Sequence, residues 1–137
     1  MLRVVGPEHG ELIRWPVKSG GLYKDTLVIT DSGATAATAA IATQIILGVV
    51  NQAYDAAEIA SIEPVRGKRI EIDIYQSATK KTFADTDIGT AYDLVVASNA
   101  MYLNGDDTTN GYLVLESYDN ARGKAIVRVL DTCIYLS

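Results

Sequence analysis

The chain has 137 residues, with 17 acidic and 12 basic side chains and a net charge of −5. This length fits one domain, and a chain of this size buries enough surface to hold a core without disulfides or metals. Hydrophobic residues make up 48% and charged residues 21% of the sequence, which argues against a chain that is disordered throughout. The acidic balance argues against a nucleic-acid partner, because phosphate contacts need clustered Lys and Arg.

Cysteine content and hydropathy bear on where the protein is made. Cys133 is the only cysteine, so no internal disulfide is possible, and its apolar surroundings predict a buried, unreactive thiol. This fits synthesis in a reducing cytoplasm. No signal peptide is predicted, and the longest apolar runs, such as residues 45–50, are far too short for a membrane span. We therefore expect no membrane partner.

The first 22 residues differ from the rest of the chain. They are punctuated by Gly6, Pro7, Gly10, Pro16, Gly20 and Gly21. Glycine allows unusual backbone angles and proline removes a ladder donor, so we predict an extended N-terminal arm over residues 1–22 and a single β domain over residues 23–137. Trp15, the only tryptophan, lies in this arm. It either fills the core of its own domain or anchors the arm on a neighbouring subunit.

Strand-like segments follow the arm in chain order. They are residues 27–29, 45–50, 69–75, 94–96, 112–115 and 125–130, with a final edge strand at residues 134–136. The clearest is residues 69–75, where Ile70, Ile72 and Ile74 alternate with charged side chains and so share one face. Residues 30–33 have the composition of a turn.

Two segments have features of a helix as well as of other structures. Residues 34–43 consist almost wholly of Ala and Thr. Alanine favours a helix, but the threonines and the strand-like neighbours favour a strand followed by a loop, which we prefer. A helical turn at residues 55–58 is the second case.

Two parts of the sequence also share a pattern of apolar and polar residues. Residues 25–30 match 92–97, residues 47–50 and 54–55 match 112–115 and 118–119, and residues 59–65 match 125–130. The match predicts an all-β fold, a compact β-barrel or sandwich built from two pseudo-repeated units, with residues 69–75 as the strand that links them. A meander of unrelated short strands would give a similar pattern.

No catalytic or metal-binding pattern stands out, so we expect neither an enzyme nor a cofactor. His9, the only histidine, lies in the arm, where nothing would hold and orient a catalytic base. Residues 104–107 carry oxygen ligands but lack the ligand ladder of a calcium loop, and their Asn-Gly pair predicts a hairpin turn instead. Residues 85–87 also have the composition of a turn.

Basic and aromatic side chains are the candidates for binding a partner, because Arg and Trp are enriched at protein interfaces. They are Arg14, Trp15, Tyr23, Arg66 and Lys68. Acidic residues are interspersed with the basic cluster around residues 66–69, so an ordinary solvated strand face is the alternative there. Charge is uneven, since residues 61–81 carry +2 and residues 82–137 carry −5. This fits packing on a charged lattice or simple solubility.

Three stretches carry a resemblance to a known family. They are Gly89-Thr90-Ala91-Tyr92-Asp93-Leu94, then Asp107-Thr108-Thr109 before the strand at 112–115, and Tyr118-Asp119-Asn120-Ala121-Arg122-Gly123-Lys124-Ala125-Ile126-Val127-Arg128-Val129. Together they resemble the C-terminal part of the small β-barrel head proteins of tailed bacteriophages, the decoration or auxiliary capsid proteins. Residues 27–50 are similar to the first half of such proteins.

The resemblance implies a structural role on the virion. Such a protein is made in the cytoplasm of the bacterial host and binds the outer surface of an expanded capsid, as a homotrimer on the lattice of the major capsid protein. Other interpretations stay open: a tail or head-completion subunit, or a host-glycan-binding module with Tyr102, Tyr112 and Tyr118 as its exposed aromatics. An enzyme that uses buried carboxylates is the least favoured.

Overall fold

The computed structural model describes residues 2–6, 12–37, 45–109 and 111–135. Within these ranges the chain forms strands and two short 3-10 turns, at Asp85–Asp87 and Asp131–Cys133, and no α-helix. The strands are β1 (Arg3–Gly6), β2 (Ile13–Pro16), β3 (Thr26–Thr30), β4 (Ala34–Ala36), β5 (Ile45–Val50), β6 (Ile59–Ile62), β7 (Arg69–Ile74), β8 (Ala91–Ala97), β9 (Ala100–Asn104), β10 (Leu113–Asp119) and β11 (Lys124–Val129).

The C-terminal half closes into a five-stranded barrel, the second barrel, in the order β7-β11-β10-β8-β9. Neighbouring strands are antiparallel, and the barrel closes where β9 runs parallel to β7 at residues 73–74. β1 pairs with β7 in antiparallel fashion along the part of β7 that β9 does not reach. The predicted all-β class is confirmed, and closure of the sheet removes edges that would otherwise be free to pair.

The N-terminal half, the first barrel, repeats this strand order in a looser form. β4-β3-β5 form one sheet and β2-β6 another. Single bridges join the two sheets: Val49 to Glu63 connects β5 with β6, and Val17 to Ala34 connects β2 with β4 in parallel. The resulting order, β2-β6-β5-β3-β4, corresponds strand for strand to β7-β11-β10-β8-β9.

The matched sequence patterns occupy equivalent places in the two barrels. Their three pairs correspond to β3 and β8, β5 and β10, and β6 and β11. The role predicted for residues 69–75 needs correction, because β7 is the first strand of the second barrel and does not link two units. It pairs with β11, and its alternating Ile70, Ile72 and Ile74 are buried inside that barrel.

Among the described residues, buried apolar side chains form two clusters. The smaller fills the first barrel with Val17, Leu22, Val28, Ala34, Leu47, Val50, Ala60 and Ile62. The larger fills the second barrel and continues between the barrels, because the opposite faces of β3 and β5 contribute to it. There the backbone N–H of Leu27 donates to the sulfur of Met101 on β9, 3.3 Å away. The two barrels therefore share a joined core.

The described parts of the predicted arm, residues 2–6 and 12–22, lie against the body, with a turn at residues 19–20. β1 pairs with β7 and β2 with β6, while Leu2 and Val17 are buried. Alternation of apolar side chains in β2 explains this, since one face of the strand can pack inward. Trp15 packs within its own chain, with its ring 5.5 Å from that of Tyr135 in an edge-on contact.

Three further predictions concern residues 34–43, 55–58 and 134–136. The strand at the start of residues 34–43 is confirmed as β4, and residues 38–43 lie outside the described residues. Residues 55–58 form a turn, in which Ala57 has a φ of 70°. Ile134 makes only an isolated bridge to Ile46 in place of the predicted final strand. Residue 136 lies outside the described residues.

Candidate functional site

The two-stranded ribbon of β2 and β6 has one face towards the core of the first barrel and one towards solvent. Ile13 and Trp15 pack inward, opposite Ile62 and Ala60. Because side chains alternate along a strand, the residues at the intervening and flanking positions point outward. The outward residues are Leu12, Arg14, Pro16, Ile59 and Ser61, and we call this surface the ribbon face.

The ribbon face combines exposed apolar side chains with a basic one. Leu12 and Ile59 are each 54% exposed, more than any other large apolar side chain in the described ranges. Arg14 is exposed and makes no ion pair in the part of the chain that the structure describes. Single exposed apolar residues are ordinary. An arginine beside two of them on one sheet face has the composition of a protein interface.

A groove of about 610 Å³ continues from the ribbon face. Leu12, Ser61 and Glu63 line one part of it, and β1 contributes Arg3 and Val4. Lys68 also lines this groove, although it is only 6% exposed, and its Nζ lies 3.3 Å from Oε2 of Glu63. Removing Glu63 would leave the buried Lys68 ammonium without this partner, so the pair holds the Lys68 side chain in place at the groove.

The structure separates the five predicted partner-binding residues. Arg14 lies on the ribbon face, and Lys68 lies in the adjoining groove. Trp15 points into the first barrel. Tyr23 lines a different pocket, of about 420 Å³, where burial raises the pKa of its hydroxyl. Arg66 is exposed in the turn before β7.

The contact that Arg66 makes is weak. Its guanidinium lies 3.8 Å from Oδ1 of Asp131, and both side chains are largely exposed. Exposed pairs of this kind contribute little to stability. Its place in the turn fits the solvated surface that was the alternative interpretation of the basic cluster.

The sequence prediction missed Leu12 and Ile59. A signal existed for Leu12, because residues 12, 14 and 16 alternate with Ile13, Trp15 and Val17. Assigning the first set to an exposed face required the knowledge that β2 pairs with β6. No local pattern marked Ile59, which opens β6 opposite Pro16.

Acidic side chains of the second barrel are engaged in its turns. Both carboxylate oxygens of Asp106 accept backbone N–H groups, from Lys80 and Thr79, at 2.8 Å each. These hydrogen bonds, that from Lys80 first, lower the pKa of the Asp106 carboxyl. A turn follows β9 at residues 105–106, but the predicted hairpin is wrong, because β9 pairs with β8 and β7 while the next strand, β10, pairs with β11 and β8. Asp106 ties this turn to the neighbouring loop.

A second carboxylate in these turns is Asp87. The backbone N–H of Ala84 and the ammonium group of Lys80, 2.8 Å and 3.0 Å away, lower its pKa. This holds the 3-10 turn at residues 85–87, where a turn was predicted.

The tyrosines proposed for a glycan site are differently placed. Tyr112 is buried at 1% exposure, so its ring offers no surface to a sugar. The hydroxyl of Tyr118 donates to Asp85 at 2.7 Å, which raises the pKa of Tyr118. Tyr102 packs against Tyr75, with 5.5 Å between the ring centroids. The three rings therefore do not form one set of exposed aromatics.

Potential metal ligands and nucleophiles do not gather into a site within the described ranges. There, no three His, Cys, Asp or Glu side chains come together as metal ligands would. Cys133 is buried, as predicted, and His9 lies outside the described residues. The described part of the chain contains no helix with the length and apolar character needed to cross a membrane.

Comparison with known proteins gives no relative from which a function could be transferred. No protein-family model, curated protein or solved structure matches this chain.

Proposed function

We propose that this protein is a structural virion component that binds and stabilises the outer surface of a bacteriophage capsid, a head decoration protein. The observation that carries the proposal is the ribbon face, where the exposed Arg14 lies on the same surface as the exposed Leu12 and Ile59. The resemblance of residues 89–130 to decoration proteins supports the choice of partner. The protein is then made in the host cytoplasm and ends on the virion.

Stabilisation of the capsid follows from linkage. A protein that binds only the assembled, expanded lattice shifts the equilibrium towards that lattice by mass action. The exposed arginine favours an acidic surface on the partner. Burial of the apolar side chains beside it contributes the hydrophobic part of the binding free energy.

Co-sedimentation with expanded heads, assembled from the major capsid protein of the same phage, tests the proposal. We expect Arg14→Glu to weaken binding at least tenfold, because it reverses the charge in the middle of the contact surface. Lys81→Glu is the matched control, since Lys81 is exposed and lies on the second barrel. It should bind within about twofold of the original chain. Equal binding by all three proteins contradicts the proposed surface.

The proposal includes a homotrimer, the form that the resemblance implies. Light scattering coupled to size-exclusion chromatography should then give a mass three times the 14.7 kDa of the chain. If the protein has the mass of a monomer at concentrations that saturate binding to heads, the trimer is contradicted. Capsid binding itself is tested separately, by co-sedimentation.

A further inference from the structure

The two barrels correspond in register as well as in strand order. In the second barrel, Ile72 lies opposite Ala125 and Ile70 opposite Val127. In the first barrel, Trp15 lies opposite Ala60 and Ile13 opposite Ile62. The parallel contacts that close the two barrels also correspond. Ile74 pairs with Leu103 where β7 meets β9, and Val17 pairs with Ala34 where the chain after β2 meets β4. Each position on β7 therefore has an equivalent position on β2.

In the second barrel, β1 fills a defined slot on the edge of β7. β9 reaches only the end of β7 at residues 73–74, and β1 pairs with the remaining part at residues 69–71. Leu2 and Val4 are buried there, and Nε of Arg3 lies 3.2 Å from Oε1 of Glu71. The slot accepts an antiparallel strand with apolar side chains inward and a basic side chain opposite Glu71.

The equivalent slot of the first barrel holds no strand in the described part of the chain. By register, Leu12, Ile13 and Arg14 correspond to Arg69, Ile70 and Glu71. β4 reaches β2 only at Val17, just as β9 reaches only the end of β7. Among the described residues, β2 pairs as a strand with β6 alone. Its other edge, over residues 12–15, is therefore the position that β1 fills in the second barrel.

The two slots have opposite charge. Glu71 attracts Arg3, whereas the equivalent position in the first barrel is Arg14. The β1 strand of a second copy would bring Arg3 against Arg14, and like charges placed directly opposite each other destabilise strand pairing. Charge therefore selects a strand with an acidic side chain at this position.

We propose that the edge of β2 at residues 12–15, which no described strand occupies, binds an extended segment of a partner protein as an added antiparallel strand. An acidic residue of that segment lies opposite Arg14, and apolar residues flank it. Main-chain hydrogen bonds supply the affinity, and the alternating side chains supply the selectivity. That the partner is a capsid subunit rests on the proposed function; the slot itself rests on the strand register.

A peptide titration followed by NMR on the ¹⁵N-labelled full chain tests the slot. The probe is the acetylated peptide Leu-Glu-Val-Val-Gly, which has the sequence of residues 2–6 with glutamate in place of arginine. We expect saturable shifts of the amides at residues 12–15, and at least fivefold weaker binding of the arginine-containing original, Leu-Arg-Val-Val-Gly. The variant Arg14→Glu should reverse this preference, and Lys81→Glu should keep it.

A version of the probe with every amide N-methylated separates strand addition from charge attraction. It keeps the side chains but has no N–H group to donate to the carbonyl oxygens of β2, and its N-methyl groups clash with the neighbouring backbone, so it should cause no shifts at residues 12–15. The inference is overturned if the methylated probe binds equally well, if the shifts fall at residues 69–71, or if no shifts appear at millimolar peptide.

The same proteins in the co-sedimentation assay keep the two proposals distinct. Head binding by a chain that does not take up the peptide overturns the strand slot and leaves the proposed function standing. Peptide binding without head binding supports the slot and overturns the capsid as partner.

Discussion

At the scale of single residues, Gly48 shows how closely the two sheets of the first barrel approach each other. A Cβ at this position would lie 2.0 Å from the carbonyl oxygen of Glu63 and 2.9 Å from Cγ2 of Ile62. Glycine inside a strand often marks such a close approach of backbones. The absence of a side chain lets β5 meet β6 at the bridge from Val49 to Glu63, which is one of the two contacts that close this barrel.

We expect Gly48→Ala to lower the free energy of unfolding by about 2 kcal/mol or more, because the methyl group forces β5 and β6 apart. Gly67→Ala is the control: Gly67 has open space around it and a φ of +69°, so only backbone strain of about 1 kcal/mol applies. Urea unfolding followed by the fluorescence of Trp15 measures both. Equal losses would show that the contact between β5 and β6 tolerates a side chain.

At the scale of elements, the barrels differ in how they are closed. The second barrel has a continuous ladder around its circumference, whereas single bridges connect the two sheets of the first. Among the described residues, one bridging pair joins β2 to β4, whereas two pairs join β7 to β9. Local opening should therefore require less free energy in the first barrel.

Hydrogen exchange tests this difference. We expect the amides of β2 and β6 to exchange at least tenfold faster than those of β7 and β11, at matched solvent conditions and after correction for intrinsic rates. Both pairs of strands are antiparallel and occupy equivalent positions, so each serves as the control for the other. Equal protection of the two pairs would contradict the looser closure of the first barrel.

Several elements follow from the sequence because a local pattern determines them. Alternating isoleucines predict β7, and the turn composition of residues 30–33 predicts the end of β3. β9 was missed because its hairpin turn consists of Ser98 and Asn99, both at positive φ, without the glycine that usually signals such a turn.

The candidate site was predictable only in part. Arg14 could be chosen for its chemistry and its place beside Trp15. The ribbon face as a surface depends on the pairing of β2 with β6, two strands far apart in the sequence. Long-range pairing of this kind is set by packing of the whole chain, so no local pattern contains it.

At the scale of the whole molecule, the predicted arm takes part in both barrels. β1 completes the second barrel and β2 belongs to the first. Deleting residues 1–20 would therefore remove two strands and the buried Leu2 and Val17. Loss of binding by such a truncated chain would report on folding, so single substitutions on the ribbon face are the sharper test of function.

The thermal stability of expanded heads, measured by calorimetry at increasing concentrations of this protein, tests the central claim most directly. Binding confined to the expanded lattice should raise the transition temperature of the heads steadily, by the equivalent of about 2.7 kcal/mol per site at a hundredfold excess over Kd. Unexpanded heads should show no change. A transition that is independent of the protein's concentration, or that rises equally for both kinds of head, would contradict a role in stabilising the capsid.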